Sequence, residues 1–288
     1  MHLIENDYLK VQINEIGAEL RSIWCKKKCR EYLWQRNAKY WAKSSPVLFP
    51  FVGELNGGKF HYNGRTYYVP KHGFARDRLF QVCKHDASSV YLMLESGEET
   101  FAMYPFHFEF TISYTLQGRS LLCQYEVVNK GAEPMYFSVG AHPAFALEIT
   151  NDQCYSDYFL SFPDDHSLKR YFLENNLLTR HYNIVPLDEN KLVLDDDMFN
   201  QDAWVLKGLN SSQVMLQNQN GNYRIALNFN SFEYFGLWAP PGAPFICLEP
   251  WSGVNDSVSH RGHIEQKEGI VELRGMTHWK RNWSIQTF

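Results

Sequence analysis

The sequence has no segment that reads as an amphipathic helix of ordinary length, roughly 11–12 residues. No run approaches the ~18 consecutive apolar residues that a membrane-spanning helix needs, so no membrane association is expected. There is no basic stripe. Lys+Arg number 28 against 32 Asp+Glu, a net charge of −4, and nucleic acid is not an expected partner. A Gly-rich phosphate loop and a Gly-x-Ser-x-Gly elbow are both missing, which argues against nucleotide hydrolysis and serine-hydrolase chemistry. No fixed-period repeat and no Gly/Ser-rich linker divides the chain. Residues 1–288 therefore read as a single domain. Met1–Leu20 carries Glu5, Asp7, Lys10 and Glu15 and does not resemble a signal peptide, so a cytoplasmic location is expected. Cysteine is sparse, with six scattered residues that read as reduced thiols. The Cys25-Lys-Lys-Lys-Cys29 stretch has no second close pair to complete a zinc site and is expected to be a solvated hairpin tip.

Aromatics, by contrast, are abundant at 16%, and they favour strands. Alternation of apolar and polar residues marks strands at Leu9–Ile13, Phe108–Leu116 and Leu121–Val128. Ala18–Trp24, Glu31–Trp34, Leu79–Cys83, Val90–Leu94, Met135–Val139, Val214–Gln217, Tyr223–Phe229, Ile270–Leu273 and Trp279–Ile285 read likewise. Asn63-Gly64, between Lys59 and Tyr68, has the chemistry of a tight hairpin turn, and Asn220-Gly221 marks another hairpin. Asn37–Ala42 reads as one helical turn. Ser44–Gly53, apolar but with two prolines, reads as a buried extended segment lining a core or a pocket floor. Asn151–Asp202 is polar and carries no clear pattern. Many strands with Asn/Gly turns and few helices imply an all-β sandwich or barrel.

Three irregular stretches beside strands carry ionisable side chains: His72–Asp77, His142 before Pro143, and Glu249 before Pro250. Glu249 lies in Phe245-Ile-Cys-Leu-Glu-Pro-Trp-Ser-Gly253, between an apolar run and a Pro-Trp pair. Pro250 cannot donate to a sheet ladder, so the strand is expected to stop or bend there. Apolar surroundings would raise the carboxyl pKa and make Glu249 a better base near neutral pH; an ion pair with an arginine is the plainer alternative. Two histidines and a glutamate would also suit a metal, but no His-x-His or His-x-x-x-His spacing supports one.

The segments His72-Gly-Phe-Ala-Arg-Asp77, Gly140-Ala-His-Pro-Ala-Phe145 and Leu248-Glu-Pro-Trp-Ser-Gly253 resemble the aldose 1-epimerase (galactose mutarotase) family, and within it the LacX-like branch. Ser45–Gly53 and Gly236-Leu-Trp238 add to the likeness, which follows the family's order over nearly the whole chain. The resemblance implies a large antiparallel β-sandwich with an open sugar-binding face. It implies Glu249 as general base and His142, protonated, as general acid, with His72, Arg76, Asp202 and Trp238 as substrate contacts. The implied substrate is a hexose or hexose phosphate, and no cofactor is expected. A non-catalytic carbohydrate-binding protein on the same fold is the alternative. The expected assembly is a monomer or weak homodimer. One position departs from the pattern. Glu54 follows Gly53, where many LacX-like chains carry arginine, which leaves a phosphate site short of charge.

Overall fold

The computed structural model describes residues 1–149 and 154–288; the start of the polar stretch, Asn151 to Gln153, lies outside the described residues. Alternation of apolar and polar side chains sets the larger of two sheets. Phe108–Gln117 and Ser120–Asn129 pair antiparallel along their full lengths. Leu121, Cys123, Tyr125 and Val127 turn inward while their neighbours face outward, the period-two pattern of a half-buried sheet. His278–Thr287 pairs on the other flank of Ser120–Asn129. These three strands sit in the middle of a nine-stranded sheet that runs from Lys191–Val193 at one edge to Gln81–His85 at the other. A second, eight-stranded sheet runs in the order Leu177–Pro186, Ser167–Glu174, Trp204–Lys207, Tyr234–Trp238, Phe245–Ser252, Val139–Ala141 and Val47–Leu48, with Ala144–Ala146 also on Phe245–Ser252. His2–Glu5, Leu9–Ile13, Leu20–Cys25 and Arg30–Glu31 form a four-stranded sheet.

One aromatic-rich core joins the sheets. The Phe49 ring, on the segment read as buried and extended, stacks on Phe110 at 4.4 Å and meets Phe108 edge-on at 5.2 Å. Such pairs add ~0.5–1.5 kcal/mol beyond the area they bury. The one α-helix among the described residues, Glu98–Met103, is six residues long. The fold is all-β, as expected.

Two expectations need correction. The Phe245–Ser252 strand does not stop at Pro250. It is buried throughout, and Pro250 pairs with Phe235. Leu248 N–H donates to Pro143 O. By the two-residue alternation of a strand, the donor that Pro250 lacks would point the same way, toward the interruption at His142–Pro143. The proline therefore breaks little. Second, the polar stretch hides a long hairpin, Ser167–Glu174 against Leu177–Pro186. Asn175 and Asn176, at φ 51° and 64°, make its turn in the left-handed region that asparagine tolerates.

Candidate active site

Register, not loop geometry, brings the two central groups together. Gly140 pairs with Trp251 and Ala144 with Cys247. Carrying that register across the break at His142–Pro143 sets His142 opposite Glu249. On the other flank, Gly236 pairs with Glu249 and Trp238 with Cys247. Cross-strand partners project to the same face, so His142, Glu249, Trp238 and Trp251 share one side of the sheet. Two glycines make room there. A Cβ on Gly236 would lie 2.4 Å from Trp251 Cζ2, and one on Gly140 2.5 Å from its Cδ1. The indole thus lies flat across both neighbouring strands and floors the site.

Above it opens a cavity of about 250 Å³. Its walls take in all six residues singled out from the sequence: His72, Arg76, His142, Asp202, Trp238 and Glu249. Trp41, Lys71, Leu173, Ala203, Trp251 and Asn255 complete it. Of these, only Trp251 carries a signal in the sequence, through its place beside Glu249. Lys71, immediately before His72, had a positional hint. Trp41 and Asn255 had none.

His142 Nδ1 lies 3.4 Å from Glu249 Oε1. Glu249 is 2% exposed and His142 8%. The acid thus faces a histidine, not an arginine. The imidazole stacks on Trp41 at 4.9 Å and meets the edge of Trp238 at 5.6 Å, so its plane is fixed from two sides. Burial pushes the Glu249 carboxyl well above its ordinary value, and Lys71 only partly opposes this. Burial, aided by the Arg76 charge, pushes His142 down to about 3. The protonated His142 expected from the resemblance is therefore not its state in the free site. Both shifts disfavour charge, and the pair holds one proton between two uncharged groups.

His72 sits at φ 67° in the loop Pro70–Asp77. Its Nδ1 accepts from Gly53 N–H at 3.1 Å, so the ring proton is on Nε2, which is left as a donor. Burial, with His142 and then Arg76 nearby, holds it well below the ordinary histidine value. Arg76 Nη2 donates to Lys71 O at 3.0 Å. Lys71 Nζ donates to Asn176 Oδ1 at 2.6 Å, and Asn255 Nδ2 to Asn176 O at 2.8 Å. The hairpin tip is thus tied to the cavity rim. Asp202, at φ 68°, accepts from Ala203 N–H at 2.7 Å. Glu54 does not line the cavity.

The metal-ligand trio considered from sequence, two histidines and Glu249, is not the one that forms. Among the described residues, the only close set of metal-capable donors is His142, Cys247 and Glu249, within 4.8 Å of one another. Burial, then Glu249, pushes the Cys247 thiol well up, so a metal there would have to displace a tightly held proton.

A β-sandwich with two imidazoles, a buried carboxyl and indole walls around one hollow is the architecture of a sugar-handling protein. The family described as aldose 1-epimerase matches residues 1–268, and the chain belongs to that family. It is 32% identical over 292 residues to the plasmid-encoded protein LacX of Lactococcus lactis subsp. lactis, covering 98% of this chain and 97% of that one. A galactose mutarotase related enzyme from Lactobacillus acidophilus superposes with a TM-score of 0.95 at 31% identity, covering 100% of this chain and 97% of the other. A galactose mutarotase-like protein from Lactobacillus casei ATCC 334 gives 0.93 at 28% identity, with full coverage of both. No helix among the described residues is long and apolar enough to cross a membrane.

Proposed function

We propose that the protein interconverts the α and β anomers of an aldose by opening and reclosing its ring, with Glu249 and His142 as the proton-transfer pair. The observation that carries this reading is the placement of these two buried side chains 3.4 Å apart on one wall of the same cavity. Mutarotation removes a proton from the C1 hydroxyl and delivers one to the ring oxygen as the C1–O5 bond breaks. The open-chain aldehyde then turns about C1–C2, and the ring oxygen adds to the other face. In the closing step the acid and base exchange roles. A pair that carries one proton in total is suited to this, because each group can take what the other gives. Glu249 is assigned as the base toward O1–H and His142 as the acid toward the ring oxygen. Sugar binding must then move the resting proton to His142, and the 3.4 Å contact, longer than a hydrogen bond, must shorten to pass it. His72 Nε2–H is a donor to the sugar. Lys71 and Arg76 add two cations to the same wall and extend the substrate range to aldoses carrying an anionic group.

Polarimetry over anomerically pure aldoses and aldose phosphates tests the proposal. Glu249→Gln and His142→Ala should each lower the rate by ~10²–10⁴-fold with the thermal melt retained. Full activity in Glu249→Gln would refute the base assignment. If the protein instead only binds sugar, ligand would raise its melting temperature with no rate above the spontaneous one. Stoichiometric metal in the active protein would move the chemistry to the His142–Cys247–Glu249 trio.

A further inference from the structure

Asn255 lies just beyond the Phe245–Ser252 strand, in the cavity wall, and is 3% exposed. Its amide is fixed from two directions. Nδ2 donates to Asn176 O at 2.8 Å. A main-chain carbonyl can only accept, so this contact settles which end of the amide is nitrogen and which is oxygen. A Cβ on Gly53 would stand 2.2 Å from Asn255 Cγ, 2.4 Å from Nδ2 and 2.5 Å from Oδ1. These near-equal distances mean that the flat of the amide rests on Gly53. The same glycine seats His72, donating its N–H to His72 Nδ1 at 3.1 Å. Among the described residues Asn255 Oδ1 has no hydrogen-bond partner, and it is not one of the unpartnered side-chain atoms sealed from solvent. It therefore opens on the cavity that Asn255 lines.

An open oxygen of this kind is scarce in the wall. Lys71, Arg76 and the indoles can only donate, and His72 has its accepting nitrogen occupied by Gly53. Outside the proton-transfer pair, Asp202 and Asn255 are the lining side chains that can accept from a sugar hydroxyl. Asp202 brings a charge, and Asn255 does not. An anionic group has no hydrogen to give an amide oxygen and meets its lone pairs instead. A hydroxyl can donate to Oδ1 and still accept from the His72 Nε2–H seated on the same glycine. We infer that Asn255 is a specificity-determining residue, whose Oδ1 accepts a hydrogen bond from one hydroxyl group of the aldose beside His72. The inference rests on reading the cavity as an aldose site, and it adds which kind of substituent the sugar must carry at that point. An analogue with hydrogen in place of the hydroxyl leaves the amide oxygen unpaired once water is displaced, and sites built to bond a hydroxyl discriminate against such analogues.

The experiment is tryptophan fluorescence of the full chain, titrated with D-glucose, D-galactose and the 2-, 3-, 4- and 6-deoxy analogues of each. Trp41, Trp238 and Trp251 line the cavity and report its occupancy. The sugars are used at anomeric equilibrium, so Kd is read whether or not the protein turns them over. For the better-bound parent sugar, at least one deoxy position should raise the wild-type Kd by ~5-fold or more. Asn255→Ala should weaken the parent sugar by a similar factor while leaving Kd for one of those deoxy analogues unchanged, a coupling that a purely structural role does not produce. An equal loss for the parent and all its analogues overturns the inference. So does a wild type indifferent to every deoxy position, or one that neither parent sugar quenches saturably. Asn255→Asp keeps the oxygen and gives up the tie to Asn176, so it should still discriminate at the same position. If Asn255→Ala does not fold, loss of that discrimination in Asn255→Asp overturns the inference. The coupling without a polarimetric rate leaves this inference standing and sinks the catalytic reading; a rate without the coupling does the reverse.

Discussion

Gly236→Ala adds one methyl group at the most crowded point beneath the site. The new Cβ would stand 2.4 Å from Trp251 Cζ2 and 2.5 Å from Cη2. Carbon atoms settle at ~3.5–4.0 Å, so the indole must retreat by roughly 1–1.5 Å. It cannot slide toward Val139–Ala141, because it is already packed against Gly140 there. The way left open is upward, into the cavity that holds Glu249 and His142. Gly236 does not occupy the left-handed region, so alanine adds no backbone strain and the whole cost is contact. Overpacking of this kind costs ~1–3 kcal/mol, a fall of roughly 2–10 °C in Tm for a chain of this size. A shift of about 1 Å at the reacting groups costs on the order of 10²-fold in kcat/KM. Thermal melts and polarimetry check both figures. Gly97→Ala is the control, since a Cβ there meets nothing within 4 Å; as the N-cap of Glu98–Met103 it should lose up to ~1 kcal/mol of stability with the rate unchanged. Trp251→Phe introduced into Gly236→Ala should recover part of the lost stability, a favourable coupling between the two positions. Gly236→Ala with unchanged melt and rate would refute the account of the floor.

With His142 held near 3, its ring protons should not titrate through pH 6.5 in an NMR titration, where those of an ordinary histidine do; a titration there would show that His142 is not shielded. Because its folded value lies below its ordinary 6.5, the His142 contribution to stability is present above that pH and is lost as pH falls toward about 3. His142→Phe should therefore gain on the wild type by roughly 3 kcal/mol between pH 6.5 and 4 in urea melts. Lys71 holds both the Glu249 and His142 values down, so Lys71→Met should move both limbs of the rate profile to higher pH; an unmoved profile would remove Lys71 from the electrostatics of the site. Asp256 pairs with the buried Lys267 at 3.1 Å, beside Asn255 of the cavity wall. Asp256→Ala should cost ~3–5 kcal/mol by denaturant titration, and Asp256→Leu with Lys267→Met should recover most of it.

Where the sequence was legible, and where it was not, follows from how local each signal is. Phe108–Leu116 announces itself because one face of its sheet is wet and the other dry, so alternation survives in the residues. Phe245–Ser252 is buried on both faces and shows only an apolar run, which is why Pro250 read as an end when the neighbouring strand was already broken at that point. The Ser167–Glu174/Leu177–Pro186 hairpin escaped notice because its second strand is largely exposed and its turn is Asn-Asn, not Asn-Gly. The six site residues came from short motifs and from family resemblance. Trp41 and Asn255 reach the cavity only through tertiary packing, and no spacing along the chain marks them. The resting charge of His142 was likewise out of reach, since it depends on how completely Trp41 and Trp238 exclude water.

The buried carboxyl and imidazole are addressed by a hydrogen-bond ladder in the interior of a sheet, while the rim comes from loops and a hairpin tip. A slip of one residue along Phe245–Ser252 would swing Glu249 into the hydrocarbon interior and offer Leu248 to the sugar. Insertions are therefore lethal to chemistry on the floor of the hollow and tolerable around its mouth. On the proposed reading, a lineage built this way can exchange one sugar for another at Leu173 and Asn255 while the proton relay beneath stays in place.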